Sequence, residues 1–486
     1  MSSQLTPTEE QLAILEAFKH SRVLKINAIA GSGKTTTLEL LAEAHKEPIL
    51  LLAFNKAIAD EASRRFPPHV VCRTMNSLAY ADFGKPLAHK LNANKNPKLN
   101  TLRSLRNVVD WLSLDDYPSE PVISSRTIAS LARDACDNFC YSARQTISDK
   151  DIIRKDIKEL QKEHQFDEKH LSRAIVDIAR LIWKERTNVY STAMTTHDTY
   201  VKLWQLSQPR INYDTIFVDE AQDVNPCVLD VLQCQSCRVV YVGDQHQSIY
   251  AFRGATNAMK TIEASTMSLS QSWRYGEVIA NVAEAILIKH DVVIHGNPSI
   301  NSEIAVIPSD SVHTEIFRTN SGLLMRAEEL ISEGISVSIE INVKDFIMQV
   351  KSIKDLMKGL KPFHDNIARF TSFTDLMECS KEDVEIKRMM HTAIRSDCLE
   401  FLDKLENNKL DKNPTVILTT AHKSKGLEFD NVKIADDFKF SESQDLLKIP
   451  EQEINLLYVA VTRAKEKMML PFVLFNYLKN EGVLNG

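Results

Sequence analysis

Residues 28–35 read Ala-Ile-Ala-Gly-Ser-Gly-Lys-Thr, and they join a short apolar run, Val23 to Ile26, to a segment of helical composition from Thr35 to His45. A glycine-bearing loop between a strand and a helix is the setting a phosphate loop needs, and it commits this part of the chain to an α/β layer. Glycines let backbone N–H groups approach phosphate oxygens, and the helix N-terminus adds a favourable dipole. The cradle would run through Ala30, Gly31, Ser32, Gly33 and Thr36, with Lys34 reaching the β- and γ-phosphates and the Thr35 hydroxyl ligating Mg²⁺. Ala28 stands where the pattern usually begins with glycine, a small departure. An ordinary glycine turn before a helix is the bland alternative.

A second site decides between the two. Thr215-Ile216-Phe217-Val218 is a compact β-prone run that suits a buried parallel strand, and Asp219 and Glu220 follow it. Ligands in open α/β sheets bind at strand C-terminal ends, so both acids are well placed. Asp219 would hold Mg²⁺, mostly through water, and Glu220 would orient and deprotonate an attacking water. Alone, two acids are a solvated strand end. With the glycine loop upstream they imply hydrolysis of a nucleoside triphosphate.

A chain of 486 residues has room for roughly two to four domains. No apolar stretch reaches the ~18 residues of a membrane span, and the N-terminus lacks the basic-then-apolar order of a signal peptide. The expectation is an intracellular protein with no membrane partner: cytoplasmic and nucleoid-associated, or nuclear in a eukaryote. Cys234 and Cys237 have zinc-ligand spacing, but no second close pair completes a four-ligand site, and reduced thiols are expected. The net charge of −6 excludes a uniformly basic nucleic-acid coat, so any polyanion contact is local. One stretch is basic: Lys85, Lys90, Lys95, Lys98, Arg103 and Arg106. It reads equally as a solvated face.

Short β-prone runs alternate with helical segments from Val23 to Leu78 and again from Ile216, with Val239 to Gly243 as a further strand. A second α/β segment begins near Leu269, with strands expected at 304–307, 316–318 and 416–418. The expected division is a first lobe at 1–82 and 208–268, with a helical insertion at 83–207. A second lobe follows at 269–325 and 415–486, with a reduced helical insertion at 326–414.

Further segments carry a family likeness. They are Ala53-Phe54-Asn55-Lys56-Ala57, Arg73-Thr74-Met75-Asn76-Ser77, Tyr241 to Tyr250, Ala251-Phe252-Arg253-Gly254, Leu269 to Arg274, Thr419 to Phe429, and Asn455 to Ala464. In this order, with Gln11 upstream, the chain resembles the UvrD/Rep family of superfamily 1 DNA helicases, including its F-box helicase branch. The resemblance implies two RecA-like, doubly wound parallel-sheet lobes that form an ATP cleft. It implies that Gln11 reads the adenine edge, that Trp273 stacks on it where Tyr is more usual, and that Glu428 contacts the ribose. Gln247 would sense the γ-phosphate, and Arg274 and Arg463 would act as arginine fingers. DNA contacts would fall to Phe54, Asn55, Thr74, Asn76, Tyr250, Phe252, Arg253, His422 and Lys423; the family often has His at the place of Asn76, and Trp at that of Phe252.

The cofactors implied are ATP and Mg²⁺, and the partner is single-stranded or tailed duplex DNA. Closing the lobes would complete the catalytic site and opening them would ratchet the strand, 3′ to 5′ by resemblance alone. A rival reading is a DNA-sensing ATPase subunit of a nuclease assembly, as UvrD-like subunits are in some anti-phage systems. The short second insertion and the end of the chain soon after Val473, with no nuclease domain, leave room for such a partner.

Overall fold

The computed structural model describes residues 6–91, 123, 125–163, 166–250, 254, 256–290, 292–368, 370, 372–380, 384–406, 414–440 and 445–484. Their strands form two six-stranded sheets, parallel throughout. The first has the order β3-β2-β4-β5-β1-β6. Its strands are β1 Val23–Ala28, β2 Ile49–Leu52, β3 Val70–Arg73, β4 Thr215–Val218, β5 Arg238–Gly243 and β6 Ser265–Leu269. β2 and β4 are buried at every position, as unbroken apolar strands with helices on both sheet faces must be.

The registers bring distant segments level. Asn27 pairs with Gly243, Ala28 with Leu269, and Val218 with Tyr241. The chain therefore leaves β1, β4, β5 and β6 along one rim, and the glycine loop, Asp219-Glu220, Asp244–Gln247 and Ser270–Arg274 all start there.

The second sheet runs β7-β12-β11-β8-β10-β9. Its strands are β7 Glu303–Ile304, β8 His313–Phe317, β9 Val337–Ile339, β10 Val416–Thr420, β11 Phe429–Ile434 and β12 Ala464–Met469. Two elements differ from expectation. The strand at 304–307 keeps only its start, because β7 pairs at two positions on an edge and Val306 is exposed. Conversely, Val337–Ile339 lies in the stretch expected to be a helical insertion, yet it pairs with β10 and is buried at all three positions. The helices Val343–Met357, Val384–Ile394 and Cys398–Glu406 pack on that side of the sheet, sharing a core with Phe317, Val416 and Leu418.

In the first insertion, the helices Ser125–Tyr141 and Glu168–Thr187 build a core of their own. Of the basic stretch, only Lys85 and Lys90 are described, and Lys90 is no surface charge. Its ammonium is buried and donates to the carbonyls of Glu185 (2.7 Å), Arg186 (3.1 Å) and Asn188 (2.6 Å), which the end of the second helix leaves without intrahelical partners. Lys95, Lys98, Arg103 and Arg106 lie outside the described residues.

The two sheets meet. Ile29, Ala30 and Ile249 belong to the same buried cluster as Tyr275, Ile279 and Tyr458. Residues at the rim of the first sheet and residues of the second half thus share one packed seam.

Candidate active site and nucleic-acid interface

Gly31 and Gly33 both have positive φ, +75° and +79°, a region in which a side chain would be strained. Space excludes one as well: a Cβ on Gly31 would lie 2.6 Å from the Arg274 Cβ and 2.7 Å from the Ser272 Oγ. The Gly31 carbonyl accepts from the Trp273 N–H (2.8 Å), so the loop is bound to the segment that follows β6. Gln11 caps its own helix with Thr8, and its amide nitrogen donates to the Thr37 hydroxyl (3.1 Å). Trp273 lies beside Gly33 and Gln11, half-exposed. The edge of an indole and an amide therefore both border Gly33, and they are the two groups that the resemblance gives to the adenine.

Farther along the rim, beyond β5 and at the end of β4, Glu220 Oε1 stands 3.5 Å from the Lys34 ammonium. Gln222 donates to Glu220 Oε2 (2.5 Å) and accepts from the Asp244 N–H (3.1 Å). Glu220 itself has φ +52°, a strained backbone that persists only where its surroundings fix it. Burial raises both carboxyls of the pair, but they diverge. The Glu220 charge pushes Asp219 further up, whereas Lys34 and then Lys425 hold Glu220 well below the carboxylate range. An anionic base beside a carboxylate burdened by like charge suits a divalent cation, and Asp219 with Thr35 would hold Mg²⁺ there.

The second lobe supplies two guanidinium groups. Arg463 is 1% exposed and donates to the carbonyls of Val459 (2.8 Å) and Leu427 (3.1 Å), the Thr462 hydroxyl (3.0 Å) and Gln247 Oε1 (3.4 Å). Burial, and then the charge of Arg274, bring it down to about 9. Arg274 donates to the Thr462 carbonyl (2.9 Å), while its Nε is buried without a hydrogen-bond acceptor, 3.4 Å from a Glu428 oxygen. Two desolvated cations that repel each other beside a phosphate-type loop fit a polyanion, and a triphosphate would relieve both.

Asp244 ties this arrangement together. It accepts from the Gln247 amide (2.7 Å) and from the Tyr458 hydroxyl of the second lobe (3.0 Å). That hydroxyl also accepts from the Ala30 N–H (3.2 Å). Glu10 accepts from the N–H of Ser270 (3.0 and 3.2 Å) and from its hydroxyl (2.7 Å), where the chain leaves β6 for the second lobe. Sequence reasoning gave no role to Gln222, Asp244, Tyr458 or Lys425, although each lies inside or beside a quoted motif. It gave none to Glu10 either. Position in a motif was the available signal; what each touches was not.

Away from the loop, Phe54 and Tyr250 stack on each other, with centroids 5.5 Å apart and rings 16° from parallel. Tyr250 donates to the His422 carbonyl (3.4 Å). Burial, and then Arg318, bring His422 down to about 4, so it is a neutral hydrogen-bonding ring and not a cation. Asn55 and Thr74 are N-caps of the helices Lys56–Arg65 and Met75–Ala79. Asn76 and Lys423 are exposed, and Asn76 bonds Tyr200. Phe252 and Arg253 lie outside the described residues.

Residues 8–265 match the UvrD/REP helicase N-terminal domain, more than half of the chain. The chain belongs to the UvrD/Rep helicase family. Residues 415–470 match the UvrD-like helicase C-terminal domain. Among curated proteins, F-box DNA helicase protein 1 of Schizosaccharomyces pombe is 31% identical over 95% of this chain and 57% of its own length. F-box DNA helicase 1 of Gallus gallus is 30% identical over 96% of this chain and 49% of its own. A probable DNA helicase II homolog of Mycoplasma genitalium is 23% identical over 94% and 84%. The chain thus spans about half the length of the F-box relatives. Among the described residues, no helix is long and apolar enough to cross a membrane.

Proposed function

We propose that this chain is a DNA-stimulated ATPase that moves along single-stranded DNA, with Mg²⁺ as its cofactor. The observation that carries the reading is that two arginines of the second lobe reach the first: Arg274 packs against Gly31 of the glycine loop, and Arg463 donates to Gln247. Phosphoryl transfer is governed by charge stabilisation and positioning. In this reading Lys34 and the two arginines neutralise the phosphates, Gln247 senses the terminal one, and Glu220 orients water and takes its proton. Mg²⁺ would add positive charge at the phosphates. Gln11, Trp273 and Glu428 would hold the nucleoside.

Lys34 sits on the first lobe and both arginines on the second, so in this reading closure assembles the site and opening dismantles it. Phe54 and Tyr250 then alternate between stacking on each other and on bases, each base stack contributing ~1–3 kcal/mol without sequence preference. Family resemblance supports 3′ to 5′ movement. The division into lobes at 1–82 with 208–268 and 269–325 with 415–486 is part of the same proposal.

The test is ATP turnover with and without single-stranded DNA. Stimulation by DNA, abolished in Lys34→Ala and Glu220→Gln, is expected. Equal turnover in the wild type and either variant would refute the site. Unwinding of a 3′-tailed duplex by the chain alone would favour a self-sufficient helicase over a subunit of a nuclease assembly.

A further inference from the structure

Where the two lobes meet, each contributes a histidine. His246 follows β5 in the first lobe and is 2% exposed; His290 follows the helix Glu277–Ile286 of the second and is half-buried. Their rings pack with centroids 4.6 Å apart and planes tilted by 57°. The His246 Nε2 lies 3.0 Å from the Gln245 amide nitrogen, and its Nδ1 is buried without a hydrogen-bond partner. An ion pair crosses the seam beside them, Lys260 of the helix Ala258–Thr261 with Glu451 at the start of the helix Glu451–Val461. Lys289, next to His290, donates to the Ile449 carbonyl (2.8 Å).

We propose that His246 and His290 form an acid-sensitive latch between the lobes: the seam packs while both imidazoles are neutral and loosens when they take up protons. Neither ring has a part in the ATP chemistry proposed above. The case begins with charge. The groups that face the pair are Asp244 on the segment of His246, Lys260, Lys289, Glu451 and the Tyr458 ring. Asp244 is already committed, since it accepts from the Tyr458 hydroxyl (3.0 Å), the Gln247 amide (2.7 Å) and the His246 N–H (3.0 Å). The other anion, Glu451, is paired with Lys260. A first proton on the pair would have to share Glu451 with Lys260. A second would set like charges against each other across the seam.

Desolvation acts in the same direction. Burial holds both rings below the ordinary histidine value of 6.5. At His246 the charges of His290 and Lys260 add to it against Asp244, and at His290 those of Lys260 and Lys289 add to it against Glu451. Hydrogen bonding offers no relief to the charged form. A proton on the His246 Nε2 would be aimed at the Gln245 amide nitrogen, and one on Nδ1 meets no acceptor. The unfolded chain therefore binds these protons more tightly than the folded one. The contribution of the pair is present above 6.5 and is lost as pH falls below it.

The experiment follows the thermal midpoint of the full chain, and its radius of gyration by small-angle X-ray scattering, from about pH 7.5 to about pH 5.5. The wild type is compared with His290→Phe, which keeps a ring against His246 but takes no proton, and with Glu451→Gln. In the wild type the midpoint should fall and the radius grow as the pH drops. The fall in midpoint should be about half as large in His290→Phe, with a constant radius, and larger in Glu451→Gln than in the wild type. His290→Gln decides the matter should the phenylalanine variant not fold. His422 titrates in every variant, so the difference between the curves is what is read. A fall in midpoint that His290→Phe shares in full with the wild type, or a wild-type radius that does not change with pH, overturns the latch. Neither readout involves ATP, so its failure and failure of the proposed ATPase are separate results.

Discussion

Replacing Arg463 with Lys separates the catalytic job proposed for it from the architectural one that its contacts show. The guanidinium makes four hydrogen bonds in the interior: Val459, Leu427, Thr462 and Gln247 accept at 2.8, 3.1, 3.0 and 3.4 Å. A lysine keeps the charge, but a single nitrogen on a narrower stem cannot replace a planar fork. A lysine that keeps Leu427 gives up Val459, whose carbonyl still accepts from the Thr462 hydroxyl (3.1 Å), so the stability cost should stay near that of one hydrogen bond, about 0.5–1.5 kcal/mol. The catalytic loss is larger. A whole arginine finger is worth ~10³–10⁵ in rate, and an ammonium that stays near the site but cannot span Gln247 and a phosphate should forfeit about 10²–10³ of that. At 1.36 kcal/mol per tenfold, that is about 3–4 kcal/mol. KM for ATP should stay within about threefold, because Lys34 and the glycine loop remain to hold the nucleotide. Steady-state turnover with single-stranded DNA and a thermal melt read both terms. A folded Arg463→Lys protein with turnover within twofold of wild type would refute the finger role; a lowered melt with unchanged turnover would leave Arg463 as a clamp on the Glu451–Val461 helix end.

Two further outcomes follow from the geometry. Glu10→Ala removes the acceptor for three contacts to Ser270, just before Trp273 and Arg274, and should raise KM for ATP about three- to tenfold, with Glu10→Gln intermediate; a KM equal to wild type would sink the clamp. For pH, burial and then Arg318 hold His422 at about 4 against an ordinary 6.5, so between these values the unfolded chain binds the extra proton. The contribution of His422 is present above 6.5 and lost as pH falls toward 4. His422→Asn should therefore flatten the fall in thermal midpoint across that range, and parallel curves for the two proteins would count against it.

The glycine loop and the acid pair were legible because each is a local pattern whose neighbours announce the structure around it. Val23–Ile26 and Thr215–Val218 read as strands from composition alone, and both are. The strand at Val337–Ile339 did not stand out as part of the second sheet. Three residues carry too little period to separate an edge strand from a helix-rich stretch, and pairing with β10 decides it. Lys90 was misread for a related reason. A lysine among basic neighbours looks like solvated surface, and only the carbonyls at the end of a helix some ninety residues later give its ammonium a buried place.

The residue types at Lys34, Glu220, Arg274 and Arg463 fixed the chemistry that is possible here, since charge and donor geometry belong to side chains wherever they fold. Their meeting did not follow from the order of residues. It depends on parallel registers that bring four strand ends to one rim, and on a second lobe seated against them through Tyr458, Asp244 and Lys425. Burial in that seam, a property of the packed whole, lowers Arg463 and raises Asp219.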